Sequence, residues 1–429
     1  MNNKVYSELG ESVFTEKLEN GLEVIVVKKP GYTKKYAYFA TNYGGVDRRF
    51  KLDNDWIDTP MGVAHFLEHK MFDMPEGNAL NTLSQLGASP NAYTAPDITA
   101  YHFECADNFN ENLRVLLSFV STPYFTKESV EKEQGIIGQE IGMDLDYPGS
   151  EMYYGLLKCL YENNPARDTI VGTVDSISEI TPETLYDCHK VFYNPSNMVL
   201  CVVGDVDENE VVATAKEVVT QQAGAVPERD YGIENSPLPY KRRAEKNMQV
   251  ASPIFLAGSK VDMPEGGDEY LKKILTGQMA VRLFLGESSP LYARLYSQGL
   301  IMSGFSAGFE PVADTAFTAV GGESRDVDAA FEEICRGADE IAENGFPDDY
   351  FERVKKSAIG DELRGLNSFD DICYNAAKGC FKNFDPFMSI ETLRSITSED
   401  ARRFISEYMT KDRLAISIIN PLDKKEQVS

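Results

Sequence analysis

Two histidines four residues apart, with a glutamate directly before the second, constrain this 429-residue chain more than any other feature. Residues 61–70 read Met-Gly-Val-Ala-His-Phe-Leu-Glu-His-Lys, so His65, Glu68 and His69 spell H-x-x-E-H in a sequence that holds only four histidines. Four residues is slightly more than one helical turn, which sends both imidazoles out of one helix face. Two neutral imidazoles on one face are half of a zinc site, and a carboxylate beside them points to hydrolytic chemistry.

A helix over residues 61–72 follows from local sequence. Thr59 is a good N-cap, Pro60 suits the first helical position, and Ala64, Phe66, Leu67, Met71 and Phe72 supply apolar surface. The competing reading, two histidines satisfied inside a core helix, requires no further ligand, so a third ligand decides between the two. From Thr126 the chain runs Lys-Glu-Ser-Val-Glu-Lys-Glu-Gln-Gly-Ile-Ile-Gly-Gln-Glu-Ile, a helical stretch with Thr126 as its N-cap. Glu133 and Glu140 are seven apart, two turns, and share a face. Glu140, flanked by Ile136, Ile137 and Ile141, completes a His2Glu set that leaves a fourth position for water. Glu133 is placed to hydrogen-bond a ligand or that water. The bland alternative for both is a solvated acidic face.

These segments resemble the insulinase and mitochondrial-processing-peptidase family of zinc peptidases (M16 type), whose signature is H-x-x-E-H with a distant glutamate. The gap of 71 residues from His69 to Glu140 fits, as does Glu133 seven before it. Asn91-Ala92-Tyr93-Thr94 matches the family's edge strand beside the metal. Gly172-Thr173-Val174 and the run from Phe192 to Met198 match further landmarks of its first domain. The resemblance is strong over residues 15 to about 210 and weak beyond, and the motif context is most similar to bacterial, Firmicutes-type members.

The resemblance implies an α+β fold of two homologous αβ half-domains, each an antiparallel-rich sheet flanked by helices and related by duplication. This is the LuxS/MPP-like metallohydrolase fold, half of a clamshell. It implies one zinc ion (Zn2+) per chain on His65, His69 and Glu140, catalytic roles for Glu68 and Glu133, and substrate binding by Asn91, Ala92, Tyr93 and Thr94. Glu68 then acts as general base and afterwards as general acid, and the strand Asn91 to Thr94 pairs with an extended peptide.

One departure stands out. The family's second domain usually brings an arginine and, seven residues on, a tyrosine, which hold the substrate and its oxyanion. The corresponding stretch here, residues 288–302, contains Arg294 as its sole arginine, and Ile301 stands seven later. Aligning Tyr296 and Met302 with the pair does no better. Two-chain members of the family pair a zinc subunit with a homologous partner that lacks the zinc motif and brings those residues. The expectation is therefore a metal-bearing subunit of a heterodimer, with a homodimer as the alternative. The functional class expected is a zinc endopeptidase or processing subunit, against an inactive structural or peptide-binding subunit.

Composition excludes other classes. A net charge of −26 is incompatible with a phosphate-binding surface, and the single basic run, Lys241-Arg242-Arg243, is short, so no nucleic-acid partner is expected. An acidic interior favours cationic peptides. No run of about 18 apolar residues exists to span a bilayer, and the first residues lack an apolar signal core. Seven cysteines without a C-x-x-C read as reduced thiols, hence a cytoplasmic location. Cys159, Cys188 and Cys201 read as small core residues.

Along the chain, the organisation reads as an N-terminal zinc-binding αβ domain over residues 1–222, a linker over 223–246, and a C-terminal αβ domain without a metal site over 247–429. Pro227, Pro237 and Pro239 mark the linker. Helix-to-strand units over 185–203 and 401–419 are offset by 216 residues, the mark of a long internal repeat. Strands are predicted over 23–28, 36–41, 91–94, 99–105 and 198–203, and one strand-like stretch over 248–258. His102 lies on an alternating strand and reads as structural, and His189 sits late in a helix, where a cationic ring suits the C-terminal end.

Overall fold

Period-two alternation of apolar residues builds the first sheet. In the computed structural model, which describes residues 1–422, seven strands lie in the order Asn2–Tyr6, Glu11–Lys17, Glu23–Lys28, Met198–Gly204, Lys35–Thr41, Thr99–Cys105 and Ser89–Thr94. Neighbours are antiparallel except Met198–Gly204, which runs parallel to Glu23–Lys28. Val24, Val26, Phe39, Tyr101 and Leu200 point to one face, where Phe66, Leu67, Leu116, Leu117 and Leu185 from helices cover them. Their sequence neighbours Ile25, Val27, Tyr38, Ala40 and Cys201 point to the other, covered by Phe369, Ile372, Cys373 and Ala376 of the helix Phe369–Lys382.

A second sheet repeats the scheme. Its order is Arg243–Met248, Ala415–Pro421, Ile254–Gly258, Thr315–Glu323 and Lys260–Asp262, with Ser306–Val312 also paired to Thr315–Glu323. Again one pair is parallel, here the first strand in sequence, Arg243–Met248, with the last, Ala415–Pro421, and the remainder are antiparallel. The helices Pro182–Phe192 and Ser398–Tyr408 start 216 residues apart, each after a threonine N-cap, Thr181 and Thr397. Neither sheet closes into a barrel. The α+β fold and its duplication are thus present.

The chain forms two compact units that are discontinuous in sequence. The first comprises Met1–Ile141, Thr169–Tyr231 and Leu363–Phe387; the second comprises Gly142–Asp168, Gly232–Glu362 and the segment from Met388 onward. The helix Pro148–Leu160 therefore packs in the second unit and Phe369–Lys382 in the first. A contiguous division at 222 and 247 places each of these helices with the other unit, because sequence proximity carries no information about which sheet face a helix covers. Within 248–258 only Ile254–Gly258 forms a strand of its own, Met248 ends the strand Arg243–Met248, and that strand begins inside the segment read as linker.

His189 differs from expectation. Its ring is buried, Nε2 donates to the Val120 carbonyl at 3.1 Å, and burial pushes its pKa down to about 4, so it is neutral rather than cationic. His102 sits half-buried among the rings of Tyr36, Tyr38 and Tyr93, away from any metal-ligand group. All seven cysteines are free, and Cys159, Cys188 and Cys201 are core residues. No helix among the described residues is long and apolar enough to cross a membrane.

Candidate metal centre

The motif helix runs Val63–Met71, three residues shorter at its start than Thr59 and Pro60 imply. Its N-cap is Gly62 at φ +94°, a backbone conformation that L side chains rarely adopt. A Cβ there would stand 2.7 Å from the Val171 carbonyl oxygen, and one on Gly172 would stand 2.6 Å from that of Met61. The two glycines let the chain segments touch, and Ser176 Oγ seals the contact by donating to the Met61 carbonyl at 2.8 Å. Thr59 is spent elsewhere: its N–H and hydroxyl both donate to the Arg48 carbonyl. Tertiary contact, not the local cap, decides where this helix begins.

Nearly all of the helix is buried, including Phe66, Leu67, Lys70 and Met71, which fixes the direction of the His65–His69 face. The second helix spans Lys127–Asp146, with Thr126 and Ser129 exchanging side-chain-to-backbone hydrogen bonds at its start, as the Thr126 cap predicts. Ile137 and Ile141 anchor it in the core, whereas Ile136 is exposed. Glu133 and Glu140 then face the two histidines together. His65 Nε2 lies 3.5 Å from Glu140 Oε1, and His69 Nε2 lies 3.9 Å from Glu140 Oε2. One donor atom from each of His65, His69 and Glu140 falls within 4.8 Å of the others, the one such grouping among the described residues.

This donor set fits a divalent zinc ion. Ligand atoms about 2.0–2.2 Å from a tetrahedral zinc stand roughly 3.4 Å apart, close to the separations found. Two imidazoles and one carboxylate leave one position open, the pattern of a catalytic rather than a structural site. The His65 ring beside Glu140 holds its carboxyl below the ordinary value, so the ligand is ionised at neutral pH.

Glu133 takes one of the two roles open to it. Its Oε1 accepts from His69 Nδ1 at 3.1 Å, leaving Nε2 as the nitrogen turned to the site. Despite burial, which works against ionisation, the His69 and Lys70 contacts hold its carboxyl below the ordinary value. Glu133 thus props the His69 ring as an ionised acceptor. His65 has no comparable prop, because its Nδ1 is buried without a hydrogen-bond partner.

Glu68 projects beside the ligands. Burial pushes its pKa up, against the pull of the Thr94 hydroxyl and the nearby rings. Thr94 Oγ1 donates to Glu68 Oε2 at 2.8 Å. The register explains this: along Ser89–Thr94, Ala92 and Thr94 face the motif helix, while Tyr93 faces the opposite core and bonds Tyr38 through its hydroxyl at 2.6 Å. Of the residues Asn91, Ala92, Tyr93 and Thr94, Thr94 is therefore the one whose side chain holds Glu68. Asn91 accepts from the Ala92 N–H at 2.9 Å. The strand is the terminal member of its sheet, as expected, so one backbone edge is unpaired.

Sequence reasoning missed Lys70 and the Thr94–Glu68 contact. The signal for Lys70 was available: a lysine followed by the apolar Met71 and Phe72, with Asp73 three residues on. The Thr94 contact depends on strand register against a distant helix, which has no local signature. In the second unit, Arg294 forms ion pairs with Glu340 at 3.0 Å and Glu333 at 3.6 Å, and Ile301 is a core residue.

Comparison with known proteins agrees with this geometry. The model described as insulinase (peptidase family M16) matches residues 57–174, and that described as peptidase M16 inactive domain matches 179–358. The uncharacterized zinc protease YmfH of Bacillus subtilis is 36% identical over 429 aligned residues, covering 97% of this chain and 98% of its own. The crystal structure of an M16-like peptidase from Alicyclobacillus acidocaldarius superposes with a TM-score of 0.91 at 33% identity, covering 96% of this chain and 99% of that one. The periplasmic protease PqqL of Escherichia coli shares the fold at 20% identity and a TM-score of 0.74; the match covers 97% of this chain but 48% of PqqL. With the M16 domain models, the YmfH identity along the full length and the His65–His69–Glu140 cluster together, the chain belongs to the insulinase family, peptidase family M16.

Proposed function

We propose that this chain is the metal-bearing half of a zinc-dependent endopeptidase. The observation that carries the reading is the convergence of His65, His69 and Glu140 on one point, with Glu68 held by Thr94 alongside. A zinc ion held by these three residues supplies Lewis acidity toward water and a peptide carbonyl. Glu68 accepts a proton from the attacking water at the carboxylate oxygen not held by Thr94, then delivers it to the leaving amine. Glu133 keeps the His69 ring turned. The unpaired edge of Ser89–Thr94 offers backbone groups to an extended peptide, which fixes the scissile bond by strand addition.

A partner supplies the electrophilic residues in this reading. Arg294 is engaged by two glutamates, and the position of the expected tyrosine is the buried Ile301. PqqL is about twice the length matched here, a precedent for two such halves acting together. A homologous chain without the zinc motif, or a second copy, fills the role for this protein. Free thiols throughout support a cytoplasmic setting.

The test is Glu68→Gln. The variant binds zinc stoichiometrically and retains peptide affinity, yet loses peptide cleavage by more than a hundredfold. Equal turnover by wild type and variant rejects the enzyme reading. Full activity from the purified monomer rejects the need for a partner.

A further inference from the structure

Lys70 follows the second histidine of the motif and is 2% exposed. Lysines are almost never buried to that degree unless paired. Its ammonium is salt-bridged to Asp73 and stands 3.5 Å from Glu133 Oε2. The other oxygen of that carboxylate, Oε1, is the one that accepts from His69 Nδ1 at 3.1 Å. One carboxylate is thus gripped at both ends, by a buried cation and by a ligand ring.

We propose that Lys70 is a positioning residue of the metal centre: by anchoring Glu133 at Oε2, it fixes the plane of that carboxylate and so the tautomer and orientation in which His69 presents Nε2. The inference rests on reading His65, His69 and Glu140 as zinc ligands. A carboxylate held at a single oxygen rotates through a broad terminal torsion, so a hydrogen bond from His69 alone leaves the ring free to follow it. A second anchor removes that freedom. Partners of this kind around a ligand change metal affinity by about 10–100-fold. An ammonium beside a cation site also repels the ion. The direct contact with Asp73 offsets that repulsion at long range, so the directional effect dominates.

The experiment measures zinc affinity of the full chain by competition with a chromophoric chelator. The variants are Lys70→Met, Lys70→Arg, Glu133→Gln and the double variant Lys70→Met/Glu133→Gln. Lys70→Met and Glu133→Gln each weaken zinc binding roughly 10–100-fold, and the double variant is no weaker than the poorer single one, because both remove the same constraint. Lys70→Arg, which keeps the charge, recovers most of the affinity. A Lys70→Met protein that binds zinc as tightly as wild type, or tighter, overturns the proposal, and so do losses that multiply in the double variant. If Lys70→Met fails to fold by circular dichroism, Lys70→Gln is judged by the same criteria. A wild-type chain that binds no zinc instead removes the ligand assignment itself.

Discussion

The Thr94 hydroxyl touches the proposed base directly. It donates to a buried carboxylate whose pKa burial raises, and its hydrogen bond to the ionised form works in the opposite direction. Thr94→Val keeps the shape and removes the donor. The Glu68 pKa then climbs further, so the base is protonated over a wider range. The expected outcome is an acid limb of the kcat/KM profile displaced to higher pH, with unchanged zinc content. An unmoved profile rejects the role of Thr94. His189 gives a second test. Its ring is buried and stacked on Tyr193, with its pKa near 4 against about 6.5 unfolded. The unfolded chain therefore binds more protons between those values, so stability is intact above pH 6.5 and falls as pH drops through the window, by up to about 3 kcal/mol. Urea unfolding at pH 7.5 and pH 4.5 measures it, and His189→Gln flattens the difference. At this scale the pairing of His65 with His69 was legible from helical spacing, and Glu140 was singled out by its place on a second helix and by the family resemblance. Thr94 and Lys70 were not, because their partners arrive from remote segments.

At the scale of elements, the motif helix shows how tertiary contact overrides a local start signal. Thr59 and Pro60 are good opening residues, yet the helix waits for Gly62, whose positive φ brings it against Gly172. Gly62→Ala forces a side chain into a strained conformation and into the Val171 carbonyl, at a cost of about 2–4 kcal/mol. A drop in Tm together with weakened zinc binding is expected, since the same glycine sets where His65 and His69 point. Gly87→Ala is the control: it shares a positive φ, but a Cβ there meets nothing within 4 Å, so stability changes less and zinc binding is untouched. Strands with clean alternation, such as Thr99–Cys105, and helices with caps, such as Ser398–Tyr408, were readable from sequence. The outer strands Asn2–Tyr6 and Glu11–Lys17 were not, because their side chains are largely polar or exposed and give no alternating signal.

At the scale of the whole molecule, duplication is written in the strand orders, but the division into units is not the one that sequence continuity dictates. The face of the first sheet carrying Ile25, Val27, Tyr38 and Ala40 is covered by Phe369, Ile372, Cys373, Ala376 and Ala377 from far along the chain. Lys378 also reaches the buried Asp97 at 2.5 Å, and Tyr36 donates to Asp370 at 2.5 Å. Burial of these apolar groups and of the sheet face beneath them contributes roughly 10 kcal/mol, which is comparable with the entire stability of an ordinary domain, about 5–15 kcal/mol. A fragment comprising residues 1–222 carries His65, His69, Glu140 and the whole first sheet, yet it lacks this helix and with it the ion pair between Lys378 and Asp97. Such a fragment should not hold a fixed tertiary structure. Expressed alone, it is expected to bind a hydrophobic dye, lose its near-ultraviolet circular dichroism and bind zinc weakly. Co-expressed with residues 223–429, which supply the helix Phe369–Lys382, it should stop binding the dye and regain its near-ultraviolet circular dichroism and its zinc affinity without a covalent link. Substituting Phe369→Asp in the second fragment tests whether the recovery works through this face, since the change removes a ring that the face buries and the complex should fail to form. A fragment of residues 1–222 that folds and binds zinc unaided would show that the first sheet is stable with this face exposed, and that the helix from the second half is an accessory rather than part of the core.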